Sequence, residues 1–276
     1  MDTSFAAQYF DGDHFRLASE FKRRIAPIVS YELPSPQKDS FLAFHRFVSE
    51  EPTANIVNQW RSVNAKWHEL VVDGILGSVQ SSLTIARYHC ERIAALESAV
   101  IAALQGFPIE KNSAIGGGNT LVFDAEYQAF ILSCRRCLDH LSFALSAFFK
   151  NVCRSFRGLE KHLTTNHLIG ESDIILGALR ANRNAFFGTL VSRKDGETSV
   201  RDSIAHTKSI SAGTLNINRL GAFFTGGGPG DKTSFGDQSV TEVTSQLMQA
   251  TQRCVDQMIR ALLETLERRI QKQGKL

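Results

Sequence analysis

Arg201-Asp202-Ser203-Ile204-Ala205-His206 sets an arginine five residues before a histidine. Those two side chains suit the metal-free cleavage of RNA. An imidazole titrates near neutrality and so moves protons readily. A guanidinium stays charged and offers a fork of donors to oxyanion charge as it develops. Together they fit attack of a ribose 2′-hydroxyl on the neighbouring phosphate, which gives a cyclic phosphate and a free 5′-hydroxyl. This chemistry calls for no metal and no other cofactor, and Arg201, His206 and Asp202 are the candidate catalytic residues.

The hexapeptide reads as a short helix. Thr198-Ser199 precedes Val200 as a helix start, with Ser199 as N-cap and Asp202 three places on as the carboxylate of a capping box. Asp202 and His206 are four apart, about 40° around a helix axis, so the carboxylate can also accept a hydrogen bond from the imidazole and favour its protonated form. Arg201 and His206 are about 140° apart and about 7.5 Å along the axis, so they do not share a face. Convergence on one phosphate then relies on the length of the arginine, or on a two-fold dimer that brings two copies of the motif to one cleft.

The elements that must position this segment are helical. Apolar residues at helical spacing predict a helix over 14–29, a short one over 41–48 and a long one over 53–105, which Gly74 and Gly77 kink or split. Trp60 and Trp67, seven apart, mark one face of that long helix as core anchors. The clearest helix spans 124–151, where Tyr127, Ile131, Cys134, Leu138, Leu141, Leu145 and Phe148 form one stripe. Another is predicted over 172–191, ended by Lys194-Asp195-Gly196, and a last long one over 239–271. Glycine-rich runs at 106–120 and 226–236 read as loops, and the alternation over 209–224 suggests a small hairpin.

The hexapeptide resembles the Arg-polar-x-x-x-His signature of HEPN domains, an all-helical family that includes bacterial ribonuclease toxins and defence effectors. The resemblance covers roughly residues 119–271, and the Arg-Arg-x-Leu-Asp-His-Leu run of the 124–151 helix is similar to the first long helix of many such domains. It implies an all-α, HEPN-like helical bundle over 119–276, preceded by an N-terminal helical region over 1–118 that resembles nothing nameable. It further implies a metal-independent endoribonuclease of toxin or antiviral-defence type, acting on RNA at a composite site between the subunits of a homodimer. An antitoxin or regulatory protein would be a partner. Arg135 and Arg136, beside the motif in such a fold, become candidates for substrate binding, against the plainer reading of Arg135 and Asp139 as an exposed salt bridge. The alternatives are a catalytically inactive HEPN-like binding or dimerisation module, and an all-helical scaffold in which the hexapeptide is coincidence.

Composition sets the outer limits. The chain has 276 residues, 43% of them hydrophobic and 21% charged, which is the make-up of a folded protein. A net charge of +3 leaves a polyanion partner open without requiring one. Five irregularly spaced cysteines make no disulfide framework and point to a reducing cytoplasm. The first 15 residues lack the pattern of a signal peptide, and no apolar run is long enough for a membrane span. Cys134-Arg135-Arg136-Cys137 lacks the second ligand pair of a zinc site, and Gly230-Asp231-Lys232-Thr233 lacks the glycine directly before lysine of a phosphate-binding loop. The other seven histidines have no ligand spacing, although His162 and His167 are close enough in sequence to approach the cleft.

Overall fold

The structure, a computed structural model, describes residues 31–103, 115–117, 121–165, 172–192, 198–206, 214–218, 221–225 and 239–273, without the side chains of the strand residues, Ser203 and His206. The predicted 14–29 helix, the Lys194-Asp195-Gly196 turn and the 226–236 loop lie outside these residues. The fold is all-α, as expected. Contacts divide the chain into Met1–Pro34 and Ser35–Leu276. The boundary expected at 118 therefore falls inside the second unit.

Its helices are α1 (Ser35–Ser49), α2 (Thr53–Val63), α3 (Ala65–Asp73), α4 (Gln80–Ala103), α5 (Leu121–Phe148), α6 (Phe156–Thr165), α7 (Ser172–Asn182), α8 (Val200–His206) and α9 (Val240–Gln273). The single helix expected over 53–105 is three helices. Asn64 leaves helical geometry at φ −134° and separates α2 from α3, so Trp60 and Trp67 stand on different helices. Trp60 is buried and meets Phe148 edge-on. The glycines act where expected: a π-helical turn, Gly74–Val79, joins α3 to α4. Gly74 is required there, since a Cβ would stand 2.8 Å from that of Ala144 on α5.

Two long helices organise the core. Helix α5 packs against α3, the π turn and α4 on one side and against α6 and α8 elsewhere, while α9 lies against α1, α4, α5 and α7. On α9 the fully buried residues Thr251, Cys254, Val255, Met258, Ile259 and Leu262 recur at three- and four-residue steps. Ser239 caps α9 reciprocally: Glu242 N donates to Ser239 Oγ at 3.2 Å and Ser239 N donates to Glu242 Oε2 at 3.0 Å. Buried Glu97 of α4 accepts from Thr241 N at 3.1 Å and fixes the same end. All five cysteines are buried and unpaired, and burial pushes the Cys134 and Cys137 thiols up, as fits core residues.

The predicted hairpin is present as β2 (Thr214–Asn218) paired antiparallel with β3 (Gly221–Thr225). Ile115–Gly117, expected as loop, adds a third strand, β1, beside β2. Among the described residues no helix is long and apolar enough to cross a membrane.

Candidate functional site

Helix α8 is held from two directions. The expected 172–191 helix stops at Asn182, passes through a 3₁₀ turn over Arg183–Phe186, and ends in a tight loop where Gly188 takes φ +84°. That conformation suits glycine, and no α-helix passes through it. Gly188 and Thr189 then offer their carbonyls to Val200 N and Arg201 N, each at 3.0 Å, so the loop seats the first turn of α8. From the other side α8 rests on α5.

The first turn is a network of charges and hydroxyls. Ser199 is the N-cap, accepting from Asp202 N at 3.1 Å. Asp202 does not return the bond to the Ser199 amide as a capping box would. That amide donates to Ser192 Oγ at 3.0 Å, and Asp202 Oδ2 accepts instead from the hydroxyls of Ser192 at 2.6 Å and Ser199 at 2.8 Å. Asp202 Oδ1 accepts from Arg201 Nη1 at 2.6 Å. Partial burial would push this carboxyl up, but the bonds from Ser192, Arg201 and Ser199, with the Arg201 charge, outweigh it and hold it at about 2. Asp202 is therefore ionised at neutral pH and committed to three donors. The backbone of His206 closes α8, but its side chain lies outside the described residues, and with it the expected Asp202–His206 contact.

Beneath α8, Arg135 and Asp139 lie one turn apart on α5. Arg135 Nε donates to Asp139 Oδ2 at 2.9 Å, and its Nη1 donates to the Leu190 carbonyl at 2.8 Å. The side chains are only 13% and 22% exposed, so the pair is not the exposed salt bridge expected, and Arg135 serves to tie the 188–191 loop to α5. Asp139 is pushed up, chiefly by burial, although Arg135, Arg201 and His140 pull the other way. Asp139 Oδ1 and Arg201 Nε are both buried without a hydrogen-bond partner among the described residues. Arg136, the next residue on α5, is exposed.

Ser192 also lines a cleft of about 280 Å³ with Phe156, Arg157, Glu160, Arg183, Phe187 and Val191. Sequence reasoning missed this wall, because helix α6 was not predicted. Phe156, Leu159 and Leu163 are its buried face, at steps of three and four that would have found it, but ten residues containing Gly158 make a weak signal. His162 of α6 bonds Asn151 at 2.7 Å and is no part of the cleft lining, and His167 lies outside the described residues.

Compared with models of known protein families, with curated proteins and with solved structures, the chain matches none.

Proposed function

We propose that the protein is a metal-independent endoribonuclease of toxin or antiviral-defence type, with Arg201 and His206 as its reacting pair. One observation carries the reading: the helix bearing both residues is joined, through the Asp202–Ser192 bond, to the wall of a cleft that also carries Arg157 and Arg183. A phosphodiester lying in that cleft would approach the first turn of α8.

In this reading Arg201 offers donors to the phosphate as oxyanion charge develops, and Asp202 aims the guanidinium. His206 takes the proton of the ribose 2′-hydroxyl, whose oxygen bonds to phosphorus. The bond to the 5′-oxygen breaks, and that oxygen leaves with a proton returned by the imidazolium so formed, or by that of the second copy. A second copy of α8 across a two-fold axis would supply the convergent groups that one short helix cannot. The Arg201–Asp202 ion pair also favours a second reading, in which the charges serve only to seat α8 and the domain is an inactive binding or dimerisation module.

The deciding experiment incubates the purified protein and its His206→Ala variant with total RNA in EDTA. The expected result is cleavage by the first alone, with cyclic phosphate and 5′-hydroxyl ends, and a loss of about 10²- to 10⁴-fold in the variant. RNA left whole by the unmutated protein, or cut equally by the variant, would leave the module reading standing.

A further inference from the structure

We infer that the channel between α6 and the Arg180–Ser192 segment binds single-stranded nucleic acid through its phosphodiester backbone. The cleft lined by Ser192 adjoins a larger one of about 620 Å³, and the two share Arg157, Glu160 and Arg183. The second adds Lys161 and Arg180, so among the described lining residues four cations stand with one carboxylate, Glu160. A chain of mild overall charge can thus present a cationic stretch to a polyanion.

The arrangement suits phosphates. Arg157 and Lys161 are exposed and one turn apart on α6, which sets them on one ridge. Across from them Arg180 and Arg183 converge on Glu160, with Arg180 Nε at 3.8 Å from Glu160 Oε1 and Arg183 Nη1 bonded to the same oxygen. Arg180 also donates to Thr164 Oγ1 at 3.2 Å. Part-exposed ion pairs of this kind are screened by water and hold their partners weakly. The arginines are therefore held ready without being locked away from a phosphate.

An acidic peptide would feel the same charge, but the cleft nearer α8 favours a nucleic acid. There Phe187 is only partly covered and stands with Val191 beside Arg157 and Arg183, an apolar shelf on which a base can stack while its phosphate meets the cations. An unpaired base can reach that shelf, whereas the bases of a duplex are stacked and paired inside it. The inference deepens the nuclease reading, since the channel leads to the wall that holds Asp202, but it concerns binding and is tested without turnover.

The test is fluorescence anisotropy over a salt series with the full chain carrying His206→Ala. The probes are an RNA strand of about 12 nucleotides, within the range of single-strand sites, the same strand annealed to its complement, and a glutamate peptide of equal length. The single strand is expected to bind tightest. Arg157→Ala with Lys161→Ala should weaken it about tenfold or more and lower the slope of log affinity against log salt by about 1.4, at about 0.7 per phosphate contact. Phe187→Ala should weaken it about fivefold or more. Parental affinity in the double variant, no binding by the parent, or equal binding of duplex or peptide overturns the inference. If the binding behaves as expected while the unmutated protein cuts no RNA, the channel stands and the nuclease reading falls. If RNA is cut as well by Arg157→Ala with Lys161→Ala, the channel falls alone.

Discussion

Ser192 donates to the Asp202 carboxylate at 2.6 Å and so joins the cleft wall to the first turn of α8. Ten residues apart in sequence, the two are brought together by the Gly188 loop, whose carbonyls also hold the α8 backbone. The motif helix is thereby fixed by groups outside the motif, and any change to Asp202 acts on fold and site together.

Asp202 should make stability fall in acid. Its carboxyl is held at about 2, below the ordinary value of about 3.9 for an unfolded chain. A depressed carboxylate stabilises above the unfolded value, and the gain is lost as pH falls through the folded one. About a quarter of the side chain is open to water, so the contribution at pH 7 is discounted to about 1 kcal/mol. Asp202→Asn should lower the thermal midpoint at neutral pH, and its deficit should close between about pH 4 and pH 2. A constant deficit across that range would contradict the assignment.

Arg135 should matter for stability more than a surface arginine does. Arg135→Ala strands Asp139 in a half-buried position and frees the Leu190 carbonyl, at a cost of about 2 kcal/mol in urea unfolding. Arg135→Lys should recover only part, because one ammonium does not reproduce a fork that spans a carboxylate and a carbonyl. Wild-type stability in the alanine variant would show that the 188–191 loop holds itself.

How far the sequence disclosed this arrangement depended on how each element is stabilised. Helices α5 and α9 were legible because each keeps a long apolar stripe against several neighbours, and the α8 cap was legible because Ser199 and Asp202 are local. The break at Asn64 was not, since the apolar spacing runs on across it through Val57, Trp60, Trp67 and Val71, at steps of three, seven and four. The end of α7 was missed because Phe186 and Leu190 carry on the spacing of Leu179 and stay buried after the helix has turned into a 3₁₀ coil and a loop. Burial there persists while the backbone changes, and periodicity reads burial. The link between Arg135 and Leu190 spans 55 residues, and the shared carboxylate of Arg180 and Arg183 lies on an unpredicted helix, so local pattern carried neither.

The π turn should tolerate nothing larger than glycine at its first position. Gly74→Ala would place a Cβ 2.8 Å from the Ala144 Cβ, between two packed helical backbones that cannot easily separate. Overpacking of this kind costs about 1–3 kcal/mol. Ala144→Gly in the same chain should restore most of the loss, and a double variant no more stable than Gly74→Ala would place the strain elsewhere. Stability measured by denaturant melts decides it.

Arg201 and Asp202 should act as one unit in catalysis if the nuclease reading holds. Asp202 grips Nη1 of Arg201, so its loss frees the guanidinium to wander, while Arg201→Ala removes the donor outright. Arg201→Ala should cost about as much rate as His206→Ala, Arg201→Lys should rescue poorly, and Asp202→Asn should be milder because an amide can still accept from Arg201. The double variant Arg201→Ala with Asp202→Asn should then be no slower than Arg201→Ala, since aiming matters only while there is an arginine to aim. Single-turnover rates on a defined RNA measure this cycle. Multiplying rate losses would mean that Asp202 serves catalysis by a route independent of Arg201, whereas two fully active single variants would assign the pair to seating α8 and place the cleavage chemistry on other residues.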